Sequence, residues 1–322
     1  MANYVYLSPS LSAKENLGLD EYFLDRVGEN DRVFYLYINQ NAVIIGKNQN
    51  PWKECDLAAM EKDGVELVRR VSGGGAVYHD AGNLNFSFIA GKGCYDKDAQ
   101  FAVILSALKK KGVPAEFSGR NDLLASGKKF SGNAFAVRRG AYQHHGTLLV
   151  SSDLDRLSRY LTVDEKKIRS KGISSVRSRV CNLKELVPSL SVPELILSLK
   201  DACREAFGDF TEIEFSEEDQ KEIARYREKH ASKEWLFGAT PKFDYEIDER
   251  FSFGGVQILL SLENGKVKNV KTYSDANDAL LPEKIEEALT GLDFSYDLLA
   301  EALASRRDPA LGEIAAFLFS QR

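Results

Sequence analysis

Three consecutive glycines, Gly73-Gly74-Gly75, follow a β-rich run that ends in Arg69-Arg70-Val71-Ser72, and they constrain this chain more than any other segment. Glycine loses more backbone entropy on ordering than any other residue, so an ordered triple glycine requires a compensating gain. A tight surface turn supplies one, because glycine is the usual turn residue. A bound anion supplies another: with no Cβ in the way, backbone N–H groups can close on a phosphate, while Arg70 adds fixed charge and a fork of donors. The glycines alone leave both open. They do exclude two nucleotide-binding patterns. Tyr78 stands where a dinucleotide fingerprint begun at Gly73-x-Gly75 needs its third glycine, and no G-x-x-x-x-G-K-[ST] occurs.

The flanking pattern is that of an α+β protein. Apolar residues at helical spacing predict an amphipathic helix from Glu15 to Val27. Val33–Ile38 and Ala42–Gly46 are β-rich runs separated by Asn39-Gln40-Asn41, which predicts a hairpin with both strands largely buried. Val65–Val71 reads as a further strand, and Leu84–Ile89 alternates so as to put one face in a core. A helix from Lys97 to Lys111, stopped by Gly112 and Pro114, precedes a meander of Asn121–Ala125, Lys129–Val137 and Gln143–Val150 turning at Arg138-Arg139-Gly140. Residues 192–207 and 216–230 have helical composition. The pattern restarts beyond Asp244 with Phe251–Leu262 and Lys266–Tyr273 joined through Asn264-Gly265, a strong hairpin signal, and closes with helices near 282–290, 294–304 and 310–320. A small α+β domain is therefore expected at 247–322, after a larger one at 1–246.

Two more segments carry chemistry-bearing side chains. In Ser118–Ala134, Lys129 opens a strand leaving a loop, where a lysine can face a carboxylate or phosphate as a point charge; a solvated surface lysine is the plainer reading. Strand alternation lets only one of Lys128 and Lys129 point inward. In Tyr142–Val150, the adjacent His144 and His145 must point to opposite faces, so they cannot readily share a metal, and one of them is expected to face a pocket. His79-Asp80 raises an acid–base possibility, but no G-x-S-x-G accompanies it.

With 43 Lys+Arg against 48 Asp+Glu in 322 residues, the net charge of −5 argues against non-specific nucleic-acid binding. A hydrophobic share of 43% places the chain among folded proteins. Cys55, Cys94, Cys181 and Cys203 form no C-x-x-C and read as reduced thiols. No run of about 18 apolar residues suggests a membrane span, and no Lys or Arg precedes Lys14. A cytoplasmic protein is the expectation.

Taken together, Arg69-Arg70-x-Ser72-Gly73-Gly74-Gly75-Ala76-Val77-Tyr78-His79-Asp80-x-Gly82-Asn83, Gly119-Arg120-Asn121-Asp122, Lys129-Phe130-Ser131-Gly132 and His144-His145-Gly146-Thr147-Leu148-Leu149 resemble the lipoate–protein ligase A family. Gln49–Cys55, Lys171–Leu183 and Asp248-Glu249-Arg250-Phe251-x-x-Gly254-Gly255-Val256 agree, so the resemblance spans essentially the whole chain. It implies a large mixed-sheet catalytic domain of the biotin/lipoate ligase type with a C-terminal accessory domain. The implied activity is two-step acyl transfer: lipoate and MgATP form lipoyl-AMP, and a lysine of a lipoyl domain then takes the acyl group. By the same resemblance Arg70 and the backbone of Gly75, Ala76, Val77 and Tyr78 bind ATP, with Ser72, Gly73, Gly74, Asn83, Asp122, His145 and Gly146 completing the site. Lys129 would contact both nucleotide and lipoyl carboxylate as the catalytic residue, and residues 171–183 would fold over the adenylate. Asp122 is the candidate ligand for Mg2+, a turn-capping aspartate being the alternative.

Alternation nominates Val71, Val77, Leu84, Phe86 and Phe130 for the apolar slot that lipoate needs; octanoate could fit the same slot. Expected acceptors are the E2 subunits of 2-oxoacid dehydrogenases and the glycine cleavage H protein, docking on basic residues such as Arg138 and Arg139 or Lys166 and Lys167. A monomer is expected. The competing readings are an ATP-independent lipoyl or octanoyl transferase, which would need a pocket cysteine if it used covalent catalysis, and a catalytically silent binder.

Overall fold

The computed structural model describes residues 2–118, 121–161, 180–238 and 243–321. Eight strands form a mixed main sheet: β1 (Asn3–Leu7), β2 (Arg32–Ile38), β6 (Asn83–Gly91), β7 (Ala115–Phe117), β8 (Asp122–Ala125), β9 (Lys128–Arg138), β10 (Ala141–Leu149) and β11 (Thr211–Glu212), in the order β11-β1-β2-β6-β10-β9-β8-β7. β1 runs parallel to β2 and β11, and the remaining pairs are antiparallel. The expected meander is present as β8, β9 and β10. Its turns use left-handed residues, Ser126 and Gly127 in one and Arg139 and Gly140 in the other.

A second sheet of three strands, β3 (Ala42–Ile45), β4 (Glu66–Arg69) and β5 (Val77–His79), is ordered β4-β3-β5. This corrects the hairpin expected from residues 33–46. β2 and β3 are both buried, but they belong to different sheets: Asn41 takes φ 54 and hands the chain from one to the other. Asn39 is fully buried there, bonded to Asn16 and His79 rather than exposed in a turn.

The main sheet is covered on both faces. On one, helices Lys97–Lys110 and Val192–Phe207 pack on Phe34, Leu36, Leu84, Phe86, Phe130 and Leu148. The second helix opens with a capping box, Ser191 and Glu194 bonding each other's backbone N–H. On the other face, helix Ala13–Arg26 packs on Val33, Tyr35, Tyr37 and Ile89, with Ile44 of the small sheet alongside. β6 is consequently buried at every position, and not on the single face its alternation suggested, because a central strand between two helix layers has no solvent side.

The C-terminal part has a core of its own. β12 (Tyr245–Phe251), β13 (Gly254–Glu263) and β14 (Lys266–Ser274) form an antiparallel meander, and helices Leu281–Leu289, Tyr296–Ala304 and Pro309–Phe319 bury Ile258, Leu260, Ile285 and Leu299 against it. The run 251–262, expected as one strand, is broken at residues 252–253, where β12 turns into β13. Asn264 and Gly265 make the expected left-handed hairpin turn.

Candidate functional site

A cavity of about 960 Å³ lies between the second face of the main sheet, helix Ala13–Arg26, the small sheet and the C-terminal part. Most of the residues nominated from sequence meet there. Gly74, Gly75, Ala76 and Val77 line it, as do Arg70, Asp122, Lys129, His145 and Gly146.

The glycine loop is organised by Arg70. Its guanidinium is buried and spends its donors inside the protein: Nε on Ser72 Oγ at 3.0 Å, Nη1 on Ile44 O at 3.2 Å, and Nη2 on Gly73 O and Gly75 O at 2.7 and 2.8 Å. Burial lowers its pKa to about 10. The fork that sequence reading aimed at a phosphate therefore binds loop carbonyls and sets the loop's shape. Gly74 takes φ +90, a left-handed conformation for which glycine is the natural residue, and its N–H donates to Ala276 O at 2.8 Å, docking the loop on the C-terminal part. Among the described residues, the Gly75 and Ala76 N–H groups have no hydrogen-bond partner. Two successive unpaired amides on a cavity wall are donors left available to an anion.

Ser72, fully buried, links this loop to a histidine. Its Oγ lies 2.6 Å from His145 Nε2, and His145 Nδ1 lies 3.1 Å from Asp20 Oδ2 on helix Ala13–Arg26. His144, one residue away, points to the other face and stacks on Phe135 at 4.7 Å between ring centroids, bonded to Gln100 and Asn133. The opposite orientation of the two histidines is as the strand period requires.

Lys129 faces the cavity, whereas Lys128 is exposed elsewhere. Lys129 Nζ is 2.7 Å from Asp122 Oδ1, both side chains being about one-third exposed, at 37% and 34%. Gly132 gives the ammonium room: a Cβ there would stand 3.1 Å from Nζ. A register shift between β8 and β9 puts Leu124 opposite Lys129 and Leu123 opposite Ser131, so Phe130 is bulged into the core between them.

Other nominated residues lie elsewhere. The Tyr78 side chain packs with Val43, Ile45 and Tyr160 behind the small sheet, so only its backbone is near the loop. Asn83 lies behind the cavity wall, its Nδ2 3.0 Å from Oδ1 of Asn85, which does line the cavity. Gly73 is buried against the carbonyls of Ala276 and Asn277. Of the proposed slot residues only Val77 reaches the cavity; Leu84, Phe86 and Phe130 belong to the core on the first face, and Val71 packs beside helix Ala13–Arg26. On a strand buried on both faces, alternation could not tell which face holds a pocket. Buried apolar residues that do line the cavity include Leu17, Tyr37 and Ile44, with the half-buried Val77 beside Ile44. Gly119, Arg120, residues 171–179, Lys166 and Lys167 lie outside the described residues. Arg138 is paired with Glu21 and Asp25.

None of the four cysteines lines the cavity, and all are buried. Burial pushes the Cys55 thiol up to about 12. Among the described residues no group of three His, Cys, Asp or Glu side chains could hold a metal ion, and no helix is long and apolar enough to cross a membrane.

Comparison with known proteins gives a consistent picture. Residues 12–204 match the family model for the lipoyl protein ligase A/B catalytic domain, and residues 240–315 match that for the bacterial lipoate protein ligase C-terminus. The crystal structure of P. falciparum LipL1 in complex with lipoate is 27% identical and superposes with a TM-score of 0.84, covering 99% of each chain. The bi-partite lipoate protein ligase of Thermoplasma acidophilum, described with its E2 lipoyl domain, is 31% identical with a TM-score of 0.65 over 75% of this chain and 97% of that one. A lipoate-protein ligase A bound with ATP is 29% identical, with a TM-score of 0.64 over 74% of this chain and 98% of that one.

Proposed function

Because the chain belongs to the lipoyl protein ligase A/B family, we propose that it is an ATP-dependent lipoate–protein ligase that activates free lipoate as lipoyl-AMP and passes the lipoyl group to a lysine of a lipoyl domain. One observation carries this reading. A single cavity joins an apolar part, with Leu17, Tyr37 and Ile44 at most 3% exposed, to the one-third-exposed Lys129 side chain and the unpaired amides of Gly75 and Ala76. That polarity matches an apolar chain ending in a carboxylate brought up to a triphosphate.

In the first step a carboxylate oxygen of lipoate attacks the α-phosphorus of ATP and the bond to pyrophosphate breaks. Two anions must approach, and Lys129 offsets their repulsion where the charge develops. The substrate carboxylate competes with Asp122 for the same ammonium, which places its head at the strand end. The Gly75 and Ala76 amides hold phosphate oxygens without any side chain moving. Mg2+ fits as a partner of the nucleotide: Asp122 would be its protein ligand, phosphate oxygens would complete its shell, and when bound it neutralises phosphate charge. In the second step the neutral ε-amine of an acceptor lysine attacks the acyl carbon, the bond to AMP breaks so that AMP departs with the bonding pair, and the proton lost from the amine passes to solvent. Lys129 again faces the oxyanion that forms.

The acceptors of this reading are lipoyl domains of 2-oxoacid dehydrogenase E2 subunits and the glycine cleavage H protein. The protein acts as a cytoplasmic monomer, with residues 1–246 as its catalytic part and 247–322 as its accessory part. An acyltransferase using a cysteine nucleophile is disfavoured by the absence of any cysteine from the cavity lining. The test is modification of a purified lipoyl domain, followed by mass spectrometry. The acceptor is expected to gain a lipoyl group only with ATP and free lipoate together. Transfer from a preformed acyl carrier without ATP would replace this reading by a transferase.

A further inference from the structure

The segment His145-Gly146-Thr147 brings more to the cavity than its histidine. Strand period puts Thr147 on the same face as His145, where it is half-buried on the cavity wall. The ladder between β9 and β10 stops just short of it. Gly146 opposite Asn133 is the last pair; beyond it β9 leaves β10, and Lys129 O accepts from Cys181 N at 2.9 Å. β10 continues against β6, with Thr147 opposite Asn85. In the opening between the strands Thr147 Oγ1 takes the place of a ladder carbonyl and accepts from Gly132 N at 3.2 Å. A hydroxyl that accepts still has its hydrogen to donate. Among the described residues no acceptor takes it. The Lys129 ammonium borders the same opening: a Cβ on Gly132 would stand 3.1 Å from Lys129 Nζ and 4.0 Å from Thr147 Oγ1. Gly132 is itself on the cavity wall, so the space flanked by this cation and this hydroxyl belongs to the cavity.

We infer that Thr147 is a further catalytic residue: with Lys129 it clamps the acid's carboxylate, its hydroxyl donating to the oxygen that does not attack ATP and later to the oxyanion formed on that same oxygen. This rests on the ligase reading above. In the first step one carboxylate oxygen, beside Lys129, bonds to the α-phosphorus as pyrophosphate leaves; the other, on Thr147, becomes the acyl carbonyl. In the second step the acceptor amine adds to the acyl carbon, and the C=O electron pair moves onto the oxygen that Thr147 holds. Collapse restores the carbonyl as AMP leaves with its bonding pair and the amine proton passes to solvent. The hydrogen bond strengthens as charge builds on that oxygen, so it serves rate more than binding. A β-branched side chain whose oxygen is already tied to Gly132 N has little freedom to lose, and the donor needs little reorganisation as the reaction proceeds.

The test follows the two half-reactions separately in Thr147→Val, which keeps the shape and removes the hydroxyl, and in Thr147→Ser, which keeps the hydroxyl. Lipoate-dependent ATP–pyrophosphate exchange reads the first, and single-turnover transfer from preformed lipoyl-AMP to a purified lipoyl domain reads the second. Thr147→Val is expected to slow transfer by about 10²-fold with lipoyl-AMP affinity within about threefold of wild type, and to lower exchange by about tenfold. Thr147→Ser is expected to stay within about threefold of wild type in both. Undiminished transfer in Thr147→Val overturns the inference. So does a Thr147→Ser protein as slow as Thr147→Val, which assigns the effect to the methyl group. A Thr147→Val protein whose lost rate is matched by lost lipoyl-AMP affinity overturns it as well, since that marks a residue that only holds the strands. Wild type that lacks exchange yet transfers from lipoyl-AMP with this dependence on the hydroxyl would break the ATP reading and leave the role of Thr147 standing; wild type that does neither overturns both.

Discussion

The two faces of strands β9 and β10 share a backbone and differ in everything else. On one face Phe130, Leu148 and His144 meet Phe86 and the helices above in a sealed core. On the other, Lys129, Thr147 and His145 line the cavity, held by polar contacts: Lys129 with Asp122, Thr147 Oγ1 with Gly132 N, and His145 with Ser72 and Asp20. A one-residue step along the strand moves a side chain from one world to the other. Stability is concentrated on the first face and chemistry on the second, so substitutions one position apart should fail in different ways.

The largest separation is expected at Phe130. Phe130→Ala leaves a cavity in the sealed core and should cost about 3–5 kcal/mol of unfolding free energy, measured by denaturant titration, with exchange activity per folded molecule nearly retained. Its neighbour should do the reverse. Lys129→Ala should lower lipoate-dependent exchange by about 10²- to 10³-fold while the thermal midpoint barely moves. A Phe130→Ala protein that is stable but inactive would break the comparison.

Acid should distinguish the same two faces. Burial by itself raises the Glu21 carboxyl, but hydrogen bonds from His230 and Lys229 outweigh it and hold its pKa at about 2, against 4.5 in an ordinary glutamate. A depressed carboxylate pKa contributes stability fully above the unfolded value, and that contribution is lost as pH falls from about 4.5 towards 2. Hydrogen exchange in that window should show helices Ala13–Arg26 and Glu217–Ala231, which Glu21 joins, opening before helix Lys97–Lys110. Glu21→Gln should remove the pH dependence of that step. A smaller effect belongs to Arg70→Lys, which keeps a charge but strands loop carbonyls; it should raise the KM for ATP several-fold with little change in lipoate affinity. The smallest is Lys128→Ala, expected to stay within about 0.5 kcal/mol in stability and to leave exchange unchanged.

Much of this division could be read from local pattern, and its gaps have physical causes. Period two assigned Lys128 and Lys129, and His144 and His145, to opposite directions. The meander and the Asn264-Gly265 hairpin followed from turn chemistry. The slot residues could not be chosen the same way, because Leu84 and Phe86 lie on a strand buried on both sides and alternation does not name the face with the cavity. Tyr37, Asp20 and Asn39 were invisible for a different reason: their roles arise from contacts across sheets, between segments many residues apart. The triple glycine was conspicuous, yet the task of Arg70 within it was not, since a guanidinium bound to carbonyls and one bound to phosphate leave the same mark in a sequence.

The most direct test of the central claim, that the polar face activates lipoate with ATP, is lipoate-dependent ATP–pyrophosphate exchange in magnesium buffer with wild type and Lys129→Ala side by side. Exchange that requires lipoate and disappears in the folded variant is the expected result. Exchange that never appears in wild type at any lipoate or magnesium concentration, or that persists undiminished without Lys129, would contradict it.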